Sequence, residues 1–178
     1  MRSANCIPLQ ALHRDGGVLR GEVGIVTGRG LGGWLGRRIA RRLGVPLCRA
    51  RRGLEVRIEH DAETMRWARR FDDGSVLVSV FEPVGRYPGG EWRERNGAVT
   101  LRLGVDTDGG GWRWRLRGVS LRGIPLPRRP LRMQAWKRLA PDGGYRFCMA
   151  FALAGGGLLL RYEGVLRVEA DTPAKIAP

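Results

Sequence analysis

The chain has 178 residues and a formal charge of +15 at pH 7, with 43% hydrophobic and 28% charged residues. That composition fits one globular domain with its own core and not a disordered chain. The longest apolar run, Cys148 to Leu160, is 13 residues and contains three glycines, short of the ~20 that a membrane helix needs.

No secretory pattern opens the chain, where Pro8, His13, Arg14 and Asp15 interrupt the apolar residues. Cys6, Cys48 and Cys148 form neither a CxxC pair nor a Cys/His cluster. The expectation is a reduced, cytoplasmic setting, with no metal site and no cofactor. Of the 32 basic residues only Lys137 and Lys175 are lysines, a usage typical of a GC-rich genome. The charge is uneven. Residues 29–52 carry eight basic and no acidic groups, and residues 113–138 carry nine and none, while residues 53–112 carry eight basic and eleven acidic.

Residues 1–20 lack a period and read as a loose lead-in. Val23 to Val26 suits a short strand. Leu35, Ile39 and Leu43 recur at four-residue spacing and predict a helix over Leu31 to Leu43, ended by Gly44 and Pro46. Beyond Pro46 the period becomes two. Strands are predicted at Leu54 to His60, Met65 to Arg70, Val76 to Phe81, Val99 to Leu103, Trp112 to Leu116, Leu131 to Leu139, Phe147 to Leu153 and Leu158 to Val168. Turn residues lie between them, among them Asp73-Gly74, Pro88-Gly89-Gly90, Asn96-Gly97 and Asp142-Gly143-Gly144.

One helix followed by about eight short strands at hairpin spacing predicts a mainly β (α+β) fold. Its form would be a curved antiparallel meander, half-barrel or calycin-like, wrapped around the N-terminal helix. The domain is expected over residues 21–170, with 171–178 as a tail.

Gly28-Arg29-Gly30-Leu31-Gly32-Gly33 matches GxGxxG between a short strand and a helix, the setting of a dinucleotide fingerprint. The remaining conditions fail. No parallel strand ending in an acidic residue follows the helix, and no further βα units appear. A turn into the helix accounts for these glycines.

Several separated motifs point one way. They are Arg29-Gly30 with Gly44-Val45-Pro46; Trp67-Ala68-Arg69-Arg70-Phe71 followed by Ser79; Glu94-Arg95-Asn96-Gly97; Gly123-Ile124-Pro125-Leu126-Pro127; and Phe147 with Gly156, Arg161-Tyr162-Glu163-Gly164 and Leu166. In this order the chain resembles the bacterial family called domain of unknown function 4166, over roughly residues 20–168. The resemblance implies a β-rich fold and no defined activity. Members of that family occur alone or fused to saccharopine-dehydrogenase-like NAD-binding proteins, and this chain looks like a stand-alone copy. Its family-motif residues are Arg29, Gly30, Gly123, Pro125, Pro127 and Gly164.

Trp67, Arg69 and Phe71 share one face of a strand because side chains alternate with period two. An arginine between two aromatics on a core face needs a partner, since an unpaired buried charge is costly. Glu163 is the expected partner, beside Tyr162. Two readings are open: an ion pair that fixes strand register, or an anchor for an anionic head group in a cavity. Arg113, Arg115 and Arg117 alternate with Trp112, Trp114 and Leu116 and read as a solvated outer face.

Catalytic patterns are sparse. His13 and His60 are the only histidines, and no GxSxG, HExxH or P-loop is present. The leading expectation is a non-enzymatic module that binds an apolar or amphipathic anionic small molecule inside a curved sheet, through Trp67, Arg69, Phe71, Tyr162 and Glu163. One alternative is a basic surface for nucleic acid or an anionic membrane, built from runs 29–52 and 113–138. Another is an accessory domain or enzyme acting with an NAD-dependent redox partner.

Overall fold

A computed structural model describes residues 15–86, 89–108, 111–127 and 129–169. Cys6, His13, Pro88, Arg128, Lys175 and the tail expected at 171–178 lie outside the described residues.

The chain runs β1 (Gly17–Thr27), α1 (Gly30–Leu43), β2 (Arg51–His60), β3 (Met65–Phe71), β4 (Val76–Val84), β5 (Glu91–Asn96), β6 (Val99–Asp108), β7 (Gly111–Leu121), β8 (Ile124–Leu126), β9 (Leu131–Leu139), β10 (Tyr145–Leu153) and β11 (Gly157–Val168). Neighbouring strands pair antiparallel in the order β6-β5-β4-β3-β2-β1-β11-β10-β9-β7, and β6 also pairs with β7. The sheet is therefore a closed barrel of ten strands, with β8 attached to the end of β7. Closure removes the free edges that an open sheet would expose.

The expected mainly β meander is the fold. The barrel is complete and has more strands than the periodicity marks. β1 runs from Gly17, well ahead of Val23. β5 went unmarked because its charged sequence, EWRERN, hides the alternation. β8 is a three-residue exposed segment holding Pro125, which lacks an N–H and suits a strand paired on one side only.

The helix matches its expected span and ends at Gly44, whose left-handed φ of 74° closes it. It does not thread the barrel. At its start, Gly32 and Gly36 lie against the carbonyls of Gly156 and Leu159 at the β10–β11 hairpin. At its finish, Gly44 lies beside the carbonyl of Val76, where β4 begins. The helix thus crosses one end of the barrel, with Ala40 and Val45 sealed into the core. A Cβ at Gly36 would overlap the Leu159 carbonyl oxygen, so only glycine permits this approach.

The core fills the lumen. Leu54, Val56 and Ile58 of β2, Leu101 and Leu103 of β6, and Leu160 and Leu166 of β11 are buried there. An eight-stranded barrel has an interior that side chains just fill, and diameter grows with strand number. Ten strands leave a wider lumen, and long polar side chains occupy part of it.

Candidate binding site in the barrel lumen

Strand alternation places Met65, Trp67, Arg69 and Phe71 of β3 on the inner face, all of them buried. Arg69 is only 5% exposed. Its Nη1 donates to Ser79 Oγ at 2.7 Å, on the neighbouring strand β4. Asn96 of β5 donates from Nδ2 to the same oxygen at 3.2 Å. Glu94, two residues earlier on β5, is 4% exposed.

From the opposite wall, β9 sends in Lys137. Its Nζ lies 3.8 Å from the centroid of the Trp67 ring and 5.6 Å from that of Trp112. The Arg69 guanidinium lies 5.2 Å from the same Trp67 centroid. Two basic side chains therefore share one indole. Among the described residues, none of Arg69, Lys137 and Glu94 makes an ion pair; the pairs that do form lie elsewhere, as in Arg20–Glu55 at 2.7 Å and Arg102–Glu91 at 2.6 Å.

Burial, reinforced by the charge of Arg69, holds the Lys137 amine well below the ordinary lysine value. Burial likewise pushes the Tyr162 hydroxyl up; Arg69 draws it back, and Glu94 adds to the rise. Both residues lie deep in the barrel yet keep some accessible surface, because a cavity of about 40 Å³ opens beside them. Trp67, Arg69, Trp114, Lys137, Phe147 and Tyr162 are among its walls. Aromatic contacts make those walls continuous: Trp67 meets Phe81 at 4.9 Å, Phe81 meets Trp114 at 5.9 Å, and Phe147 meets Tyr162 at 5.8 Å. A space of that size holds about three water molecules, or the head group of a small ligand.

The residues expected to bind ligand divide. Trp67, Arg69 and Tyr162 meet at the cavity. Phe71 is buried on the same inner face but belongs to the core beside Leu54. Glu163 is a correction. Tyr162 and Gly164 take the inward positions of β11, so Glu163 points outward, where it accepts from Arg161 at 2.5 Å. It is not the partner of Arg69.

The motif residues serve mainly the scaffold. Arg29 caps the helix without a side-chain hydrogen bond, and Gly30 follows it with φ 58°. Arg122 and Gly123, both with positive φ, form the β7–β8 turn. Pro125 and Pro127 are exposed. Gly164 lies against the Glu22 carbonyl of β1, where a Cβ would collide.

The sequence reading assigned no role to Lys137, Glu94 or Asn96. A signal for Lys137 was present: it is one of two lysines among 32 basic residues. Arginine does not lose its proton in proteins, whereas lysine does so readily when buried. Lys137 is therefore one of two basic positions in the chain at which a side chain readily gives up its proton.

The architecture defines a closed β-barrel with a cationic, aromatic lumen, capped at one end by a helix. The chain belongs to the family described as Domain of unknown function (DUF4166), whose profile matches residues 6–166. Comparison with curated proteins and with solved structures gives no match. No helix among the described residues is long and apolar enough to cross a membrane.

Proposed function

We propose that this barrel is a binding module for a small anionic or amphipathic molecule. The anionic group would sit between Arg69 and Lys137, and the apolar part would lie against Trp67, Trp114 and Phe147. One observation carries this reading: the Arg69 guanidinium and the Lys137 amine approach one indole ring beside a cavity, and neither makes an ion pair among the described residues. Holding a buried guanidinium there without an ion-pair partner is costly. An anion entering the lumen would offset that cost through charge-assisted hydrogen bonds in a low-dielectric site.

The cavity volume limits the ligand. Sites for drug-sized molecules run to roughly 300–1,000 Å³, far above the 40 Å³ here. Short-chain carboxylates fit the reading better than long-chain ones. The test is a tryptophan-fluorescence titration with butyrate and hexanoate, since Trp67 and Trp114 line the site. A saturable change that disappears in Arg69→Met, with the variant still folded by circular dichroism, supports the proposal. A wild-type signal that does not saturate with either acid overturns it.

A further inference from the structure

We infer that Lys137 is a covalent anchor, an amine that condenses with the carbonyl group of a small oxo-acid held in the lumen. This rests on the lumen-binding reading above and adds the chemical class of the ligand, a carboxylic acid bearing a ketone or aldehyde.

Three observations lead here. The first is placement. Lys137 Nζ lies over the Trp67 ring, facing the cavity and without an ion-pair partner among the described residues. A lysine that served only to pair a charge would have a carboxylate beside it. The second is the neighbouring cation. Arg69 approaches the same ring and offers a fixed guanidinium to a carboxylate, while its charge and the burial together favour the neutral amine of Lys137. Desolvation and an adjacent cation are the two recognised ways of making a lysine nucleophilic at neutral pH. The third is residue choice. The chain uses arginine at 30 of its 32 basic positions, and a guanidinium cannot perform this reaction.

The step balances without a co-reactant. The amine lone pair attacks the carbonyl carbon and the C–O π bond opens to a carbinolamine. The carbinolamine then loses water, whose two hydrogens come from the amine, and a C=N bond remains. No electrons leave or enter, so neither oxidant nor reductant is needed. Of the titratable and charged groups in the lumen, Arg69 on β3 acts on the reacting nitrogen, Tyr162 on β11 lines the same cavity, and Glu94 on β5 acts on Tyr162. With Arg69 holding the carboxylate, the oxo group of a short acid would be presented toward the opposite wall, where Lys137 stands.

Lys137 and Lys175 are the chain's two lysines, so labelling at each is compared within one sample, with free Nα-acetyllysine as the ordinary-amine reference. The full chain is incubated at pH 7 with pyruvate or acetoacetate and sodium cyanoborohydride, which traps the C=N bond as a stable secondary amine. Peptide mass spectrometry then locates the added mass. The expected result is labelling of Lys137 faster than Lys175 and at least about tenfold faster than the free reference, the advantage of one unit of depressed proton affinity. Hexanoate should suppress it, and Arg69→Met should slow it and move its optimum to higher pH. Labelling of Lys137 no faster than Lys175 or the free reference overturns the inference, as does labelling that hexanoate leaves unchanged. If butyrate and hexanoate still titrate the tryptophans but Lys137 stays unlabelled, the covalent step fails and the binding reading survives. If neither signal is seen, both fall.

Discussion

Lys137 Nζ lies 3.8 Å from the centroid of the Trp67 ring, although the two residues come from β9 and β3, on opposite sides of the barrel. The contact bridges the lumen and sets two effects against each other. Desolvation penalises the ammonium form, and the negative face of the indole favours it by about 2 kcal/mol in a desolvated setting. Burial and Arg69 win, because the amine sits well below its ordinary value.

That balance predicts how stability changes with pH. In the unfolded chain Lys137 holds its proton up to about pH 10.4, whereas in the fold it releases it earlier. Between those two values the unfolded state binds more protons, so stability rises with pH. Tyr145 and Tyr162, whose hydroxyls are pushed up by burial, act the other way once the pH passes about 10. Lys137→Met keeps the volume and a sulfur–aromatic contact. It should raise stability at pH 7 by about 0.5–2 kcal/mol, the usual gain from removing one unfavourable feature, and should flatten the rise between pH 7 and 9.5. Urea midpoints for both proteins across that range check this. A variant less stable than wild type at pH 7 would show that the cation–π contact outweighs desolvation.

The charge of Arg69 adds to burial in lowering the proton affinity of that amine. Arg69→Met removes the repulsion, so the proton affinity of Lys137 should rise while burial still holds it below the ordinary value. Ser79 Oγ keeps its donor from Asn96, which limits the damage to the fold. NMR of the ¹⁵N- or ¹³C-labelled lysine side chain reads the change directly. An unmoved Lys137 titration would mean that the two cations do not interact through the lumen.

Strand alternation was legible wherever one face is apolar, as in β2, β3 and β7, and it placed Trp67 and Arg69 on the inner face. It failed at β5 because the inward residues there include Glu94 and Asn96, so a polar lumen erases the contrast on which period two depends. The missed strand is also what separates a half-open sheet from a wide closed barrel. The partner of Arg69 was illegible for a related reason. Register decides whether residue 162 or 163 points inward, and a shift of one exchanges the faces. Tyr162 took the lumen, Glu163 took the surface, and a serine on the next strand met the guanidinium. Lys137 had been grouped with the basic run 113–138, whose other described members include outward-facing Arg115, paired with Asp106. Charge counting along the chain does not separate a side chain inside the barrel from its neighbours outside.

The glycine contacts of the capping helix are a second test of the architecture. Gly36 faces the Leu159 carbonyl with no room for a side chain. Gly36→Val must push the helix away from β11, although alone it changes neither charge nor chemistry. Overpacking of this kind costs about 1–3 kcal/mol, and the helix should loosen before the barrel does. Thermal unfolding together with amide exchange of residues 36–43 would show it. Wild-type stability and unchanged protection in that segment would mean that the helix does not pack as described.

The acid side of the stability curve depends on a different cluster. Arg52, buried at the start of β2, pairs with Asp72 at 2.8 Å and Asp73 at 3.2 Å in the β3–β4 turn, and also contacts Cys48. Asp72 additionally accepts from the Gly53 backbone at 3.2 Å. That hydrogen bond, then the Arg52 pair, lowers the Asp72 carboxyl below its usual value; the Ser75 hydroxyl and amide do the same for Asp73. A carboxylate depressed by folding stabilises fully above its unfolded value of about 3.9. That contribution is lost as the pH falls through the lower, folded value. Asp72→Asn should therefore lower stability at pH 7 and make the decline below pH 4 shallower, because one proton fewer is taken up on acid unfolding. Asp73 and the Cys48 sulfur keep Arg52 in place, so the variant should stay folded. Urea midpoints between pH 3 and 7 for the two proteins provide the measurement. If the curves run parallel, the Arg52–Asp72 contact adds nothing that depends on the charge of Asp72.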